Sequence, residues 1–424
     1  MTMTNQTTDC SSSGFPEEVC RKIGTNLGTA QEDMVAFRRD LHAHPEPAGQ
    51  EHRTTACLAE RLQKHGLELR PLPGTGVVAD LHVGAPDDAW MAVRADIDCV
   101  PIDDEKNVPW RSTIEGHCHA CGHDAHTTMA LFAAESLAAH RSDLESANLA
   151  ANVRFVFQPA EETATGARDM IEAGVLDGVS GMVALHCDPF LDVGQVGLRT
   201  GPITSHMSTF RITLTGAGGH SARPHEVIDP VPAAINAVSM LYQLAPRSMD
   251  SRYPMCLSVT SIHAGNAFNA IPDEAVICGT LRAGRLEDEQ KVRQAIDRCL
   301  RAACEATGCT VSIEYPYRSP ATNNDHGANQ LIEHAAQNVV GNEGIIQIDL
   351  PSLGGEDFAY FQQHVPASMA RLGTGSGPEA DRQPLHSPRF DINETALPIG
   401  ARLLAGAAIR GMASMRNGSA DKPF

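Results

Sequence analysis

Apolar residues along this chain follow two spacings, one helical and one strand-like. Between residues 16 and 42, Val19, Ile23, Leu27, Met34, Phe37 and Leu41 recur at the interval of one helix face, which predicts a single long helix over 16–42. The prolines of R-R-D-L-H-A-H-P-E-P stop it, because proline cannot continue the backbone ladder. A second helical pattern covers 53–65 and ends at Gly66, and short runs at 67–72 and 77–83 read as strands. Residues 90–98, W-M-A-V-R-A-D-I-D, are a continuous apolar run that meets charge at its C-terminal end, the pattern of a buried strand opening into a site. The design repeats in V-R-F-V-F-Q-P-A-E-E at 153–162 and in G-M-V-A-L-H at 181–186, a strand ending in a histidine. Helical patterns at 125–139 and 165–173 alternate with these strands, which predicts an α/β fold with a mostly parallel sheet flanked by helices. Such sheets bind ligands beyond the carboxyl ends of their strands, where Asp96, Glu161, Glu162 and His186 all stand.

After Gly201-Pro202 the pattern changes. Strands at 208–215, 255–263, 274–282 and 309–316 enclose helices at 230–244 and 286–307, in the order β-α-β-β-α-β. That is the split βαβ, ferredoxin-like arrangement, so 201–316 reads as an inserted domain on a larger domain made of 1–200 and 317–424. Helix and strand alternation then resumes and closes with a helix over 395–415. The inserted unit leaves a strand edge able to pair with a second copy, which predicts a dimer or larger homo-oligomer joined through it.

The length of 424 residues agrees with two domains, since one core rarely serves so long a chain. A net charge of −19 argues against nucleic acid or an anionic membrane surface as partner. No apolar run reaches transmembrane length. The first fourteen residues are polar, predicted to fray, and lack the features of an export signal. The twelve cysteines are mostly isolated, as in a cytoplasmic protein with reduced thiols.

The densest chemistry lies at 116–126, G-H-C-H-A-C-G-H-D-A-H, with four histidines, two cysteines and an aspartate on a loop entering a helix. Thiolate, imidazole and carboxylate are the protein ligands of Zn²⁺-like ions. Two other readings stand beside metal binding: Cys118 and Cys121 as a C-x-x-C redox pair, and histidines scattered on a surface turn. His117 and His119 read as loop residues hydrogen-bonded in place, and His126 as a structural residue of the helix.

Eight motifs in order carry a family resemblance. They are R-R-D-L-H-A-H-P-E, R-A-D-I-D, H-A-C-G-H-D, Q-P-A-E-E, G-G-H-S-A-R-P-H, N-A-I-P, G-G-E-D-F and L-H-S-P. From about residue 30 onward the chain resembles the M20 metallopeptidase superfamily, in its amidohydrolase branch of hippurate hydrolases, N-acyl-amino-acid amidohydrolases and hydrolases of auxin–amino-acid conjugates. The resemblance implies two divalent metal ions held by Cys121, His123, Glu162, His186 and His386, Glu161 as general base, and Asp96 as the carboxylate orienting a metal-bound histidine. It places substrate contacts at His220, Asn269 and Arg282, the first two reaching across a dimer interface, and implies that the inserted domain acts as a lid. The donor set suits Zn²⁺, with Mn²⁺, Co²⁺ and Ni²⁺ as alternatives. The implied substrate is a small N-acyl amino acid, with a dipeptidase or carboxypeptidase of the same superfamily as the competing reading. Three positions depart from the family pattern: Cys118 stands for methionine, Cys99 for a small residue, and Gly355 for the serine of G-S-E-D-F.

Overall fold

A computed structural model describes residues 16–85, 89–149 and 151–416. The N-terminal stretch predicted to fray lies outside them. Strand Trp90–Asp96 is buried along its whole length. Met91, Val93 and Ala95 enter one hydrophobic core, while Trp90 and Ala92 enter another on the opposite face. A strand covered on both faces has no polar side to show, which is why its sequence is a continuous apolar run. It runs parallel to Asn152–Gln158 on one side and Val179–Asp192 on the other, and Val179–Asp192 is parallel to Ala367–Gly375. These four strands form the middle of an eight-stranded sheet, flanked by Glu68–Arg70 and Val77–Leu81 on one edge and Val196–Leu198 and Ile345–Gln347 on the other. Phe155 and Phe157, fully buried on one strand, each contribute on the order of 1.5–3 kcal/mol by leaving water.

Helices Glu17–Thr29, Gln31–Ala43, His52–Lys64, His123–Ala139, His326–Val340 and Leu397–Arg416 share one face of the sheet and the larger core. Gly166–Glu172 and Phe358–Phe361 cover the other. The single helix predicted over 16–42 is two helices. The backbone leaves helical geometry at Ala30 (φ −89°, ψ 9°), because the first half follows Leu397–Arg416 while the second follows His123–Ala139. Strand Val179–Asp192 also runs well past His186, where the sequence pattern placed its end. No helix among the described residues is long and apolar enough to cross a membrane.

A second sheet is antiparallel throughout, in the order Met255–Ala264, Glu274–Ala283, His206–Thr215, Thr310–Glu314. Helices Pro230–Leu244 and Leu286–Thr307 pack on it. Asp229 caps the first of these by accepting the Val231 N–H at 2.9 Å, and Pro230 takes a position where its missing N–H costs nothing. Phe210, Ile212 and Leu214 alternate inward to meet Leu241, Ile277 and Leu300 in a core that shares no residue with the other two. The split βαβ order read from the sequence is the connectivity of this sheet.

Candidate metal centre and substrate pocket

The Cys/His loop turns into its helix at Gly122, whose φ of +87° is left-handed. A Cβ there would stand 3.1 Å from the Cβ of Cys187. The turn leaves Cys121 just before the helix and places His123 at its first position. Two further loops are bent in the same way by residues that are not glycine. His386 has φ +64° and Ala160 has φ +53°, conformations that survive only where surrounding contacts hold them. The His386 N–H donates to the Ala120 carbonyl at 2.8 Å, and the Ala160 N–H donates to the Glu51 carboxylate at 2.9 Å. Three loops are thereby locked around one point.

At that point the five donors named from the resemblance come together. Cys121, His123 and His186 form one group whose ligand atoms lie within 4.8 Å of one another, and Cys121, Glu162 and His386 form another. Cys121 belongs to both. Its Sγ is 3.6 Å from His186 Nε2, while Glu162 Oε1 is 3.3 Å from His386 Nε2 and 3.9 Å from His123 Nε2. His123 Nε2 and Glu162 Oε1 are buried with no hydrogen-bond partner. Leaving such atoms unpaired costs about 1–3 kcal/mol each, more when charged. An imidazole lone pair and a carboxylate oxygen facing the same space fit a cation. The tautomers agree. His123 Nδ1 faces two acceptors, the Asp98 carbonyl at 3.0 Å and the Asp98 carboxylate at 3.2 Å, and His186 Nδ1 faces the Cys187 carbonyl at 2.8 Å. Each Nδ1 therefore carries the proton, and each Nε2 is free to bind.

The carboxylate supporting His123 is Asp98, not Asp96. Asp96 instead accepts from His126 Nδ1 at 2.7 Å and from Arg94 at 2.7 Å, and its distance to His123 Nε2 is 3.7 Å. The D-I-D spacing puts both acids at the strand's end, and only the chain's path beyond Asp96 decides which one meets His123. His126 is satisfied at both nitrogens, since its Nε2 also accepts the Cys187 N–H at 2.8 Å. Neither of its ring nitrogens is left without a partner. His119 differs from its sequence reading: both ring nitrogens are buried without a partner, and burial pushes its pKa down to about 3. Cys118 is fully buried in the main core, where burial pushes its thiol up to about 11, whereas Cys121 faces the donor cluster.

Sequence reasoning missed Arg94. Its guanidinium is fully buried and reaches Asp96 at 2.7 Å, Glu356 at 3.1 Å and Asp357 at 3.2 Å. One cation thus offsets three carboxylates behind Glu161, which accepts the Asp357 N–H at 3.3 Å. Burial first, then the charges of Glu356, Glu162 and Asp357, raise the Glu161 pKa well above the ordinary carboxylate range.

A cavity of about 820 Å³ opens over this centre, with Cys121, Glu161, Glu162, His186 and His386 along its floor. Arg282 and Met207, from the second sheet, line it from the other side. Arg282 donates to the Leu353 carbonyl. Gly355 also lines the cavity; a Cβ there would stand 3.0 Å from Met207 Sδ and 3.2 Å from the Tyr317 hydroxyl, so the departure from the family pattern leaves room in the pocket wall. His220 and Asn269 are not brought to the cavity. They lie exposed on and beside the short pairing of Gly219–His220 with Ala270–Ile271.

Residues 92–410 match the model of peptidase family M20/M25/M40. The N-acetylcysteine deacetylase of Bacillus subtilis (strain 168) is 36% identical over 379 residues, covering 89% of this chain and 96% of that protein. The IAA-amino acid hydrolase ILR1-like 4 of Arabidopsis thaliana is 34% identical over 394 residues, covering 92% and 88%. Among solved structures, the Bacillus subtilis YxeP protein, described as a dinuclear metal-binding peptidase, superposes with a TM-score of 0.75 at 32% identity over 90% of this chain and 98% of its own. Matched by the family model over residues 92–410 and by relatives of 34% and 36% identity along most of its length, this chain belongs to peptidase family M20/M25/M40, on the amidohydrolase branch.

Proposed function

We propose that the protein hydrolyses the amide bond of N-acyl amino acids, releasing a carboxylic acid and a free amino acid, with two divalent metal ions as cofactors. The observation that carries this reading is the pair of donor groups sharing Cys121, with unpaired His123 Nε2 and Glu162 Oε1 aimed between them. Cys121, His123 and His186 would hold one ion and Cys121, Glu162 and His386 the other. The mixed sulfur, nitrogen and oxygen donors suit Zn²⁺ first, and Mn²⁺, Co²⁺ and Ni²⁺ accept the same set. When bound, such ions polarise a carbonyl and lower the pKa of water. Glu161, on the cavity floor beside this cluster, takes the proton from the attacking water and delivers it to the leaving amine. Asp98 holds the His123 ring, and Asp96 acts at one remove by fixing His126 and Arg94.

In this reading Arg282 receives the α-carboxylate of the amino-acid half, the planar fork that suits a carboxylate. Residues 201–316 form a lid and dimerisation domain on the body made of 1–200 and 317–424. His220 and Asn269 then serve the cavity of a second copy, which accords with their exposure and their distance from the cavity of their own chain. Phe268, beside Asn269, is fully exposed, as a side chain awaiting such a contact would be.

Two measurements test the reading. Chelation of the purified protein is expected to abolish hydrolysis of N-acetyl-L-amino acids and re-addition of Zn²⁺ or Mn²⁺ to restore it; a chelated protein as active as the untreated one overturns the metal assignment. Faster cleavage of dipeptides than of N-acetyl amino acids would favour the peptidase alternative. Separately, Arg282→Ala is expected to lower kcat/KM about 10- to 100-fold on substrates with a free α-carboxylate, and far less on their amidated analogues, because a charge-assisted pair is lost only with the former. Equal loss on both removes the clamp.

A further inference from the structure

Arg371 lies on strand Ala367–Gly375, in register with His186 on the neighbouring strand. Partners in register project from the same face of a sheet, so the guanidinium leaves the sheet beside a member of the metal centre. It lines the same cavity as Cys121, Glu161 and Arg282 and is half-buried there. Among the described residues it has no carboxylate within 4.0 Å and no side-chain hydrogen bond. Asp188, in register with Gly373 on the neighbouring strand, accepts the Phe190 N–H at 2.9 Å and lies beyond ion-pair distance from Arg371.

The three arginines buried among the described residues are each answered by a carboxylate. Arg38 meets Asp124 at 2.7 Å, Arg94 meets Asp96 at 2.7 Å and Arg154 meets Asp80 at 2.8 Å. Arg371 has no such answer, and it lines the cavity instead. The cavity wall also carries Phe190, Ile348 and Leu350. Such a wall raises the worth of any charge-assisted bond formed inside it.

We infer that Arg371 is a specificity-determining residue that receives a second carboxylate of the substrate, so that the preferred substrates are dianionic N-acyl amino acids. This rests on the amidohydrolase reading above, in which Arg282 takes the α-carboxylate. The two arginines come from different sheets and line one cavity, so a substrate held by both is gripped at two anionic points with the amide between. The second carboxylate sits either on the amino-acid half, as in an N-acyl glutamate, or on the acyl half, as in an N-succinyl amino acid.

The experiment measures kcat/KM of the metal-loaded wild type, Arg371→Met and Arg371→Lys on N-acetyl-L-leucine, N-acetyl-L-glutamate and N-succinyl-L-leucine, with metal content determined for each protein. The wild type is expected to prefer one of the two dianions over N-acetyl-L-leucine, and the one preferred identifies the half that bears the second acid. Arg371→Met should cut that preference about 10- to 100-fold, mainly through KM, at full metal content, and Arg371→Lys should keep part of it. A wild type that prefers N-acetyl-L-leucine, or an Arg371→Met protein that changes all three substrates by one factor, overturns the inference. If the wild type cleaves none of the three, the amidohydrolase reading fails separately. Calorimetric binding of succinate and butyrate to the same proteins then decides the anion site: loss of the preference for succinate in Arg371→Met upholds it, and an unchanged preference overturns it.

Discussion

Glu161→Gln is expected to lower turnover at least about 100-fold, the order seen when a general base is removed, while both metal ions remain bound. Glutamine keeps the shape and the acceptor for the Asp357 N–H, so the loop carrying Glu162 stays in place. What disappears is the ability to take a proton. The change also removes one charge from a buried group already crowded by Glu356, Glu162 and Asp357, so the thermal midpoint of the chelated protein should not fall. Turnover near that of the wild type would place the base elsewhere, and loss of metal along with activity would make Glu161 a ligand.

Cys121→Ser is expected to have the largest effect on metal content. Its sulfur belongs to both donor groups, so one substitution weakens both sites at once. A hydroxyl is a far poorer ligand than a thiolate, and the loss of affinity should exceed the roughly 10- to 100-fold typical of changes to residues that merely support a ligand. Activity should fall in parallel and recover only at high added metal. Cys118→Ser is the control. Cys118 is fully enclosed by the main core, so burying a hydroxyl there costs about 1–3 kcal/mol of stability but leaves metal content unchanged. Metal loss in the Cys118 variant together with retention in the Cys121 variant would reverse the assignment of this loop.

The amino-acid sequence by itself marked Trp90–Asp96, Asn152–Gln158 and the first half of Val179–Asp192 as strands of the central sheet, but it did not single out Ala367–Gly375, which completes the middle of that sheet. Trp90–Asp96 and Asn152–Gln158 are covered on both faces, and that burial is written directly into their apolar runs. The connectivity of the second sheet was equally legible, because alternation at Phe210, Ile212 and Leu214 marks a strand with one face inward and the intervening helices have their own period. The donors Cys121, His123, Glu162, His186 and His386, which the fold groups together, stood out through the motifs that hold them. The break at Ala30 was not, since two helices that follow different neighbours can share one continuous apolar stripe.

Only the tertiary structure decided how those residues combine. It chose Asp98 over Asp96 as the support of His123, because the choice depends on the path of the chain after the strand stops. It placed Arg94 among Asp96, Glu356 and Asp357, a pairing between distant segments that no local spacing records. It put Arg282 in the cavity and His220 and Asn269 outside it, although all three lie within residues 201–316. It also left Arg371 facing that cavity without a carboxylate, where the sequence offered only an arginine on a strand. Local sequence sets hydrophobic period and side-chain chemistry, whereas the partner of a buried charge is chosen by elements that meet only when the chain has folded.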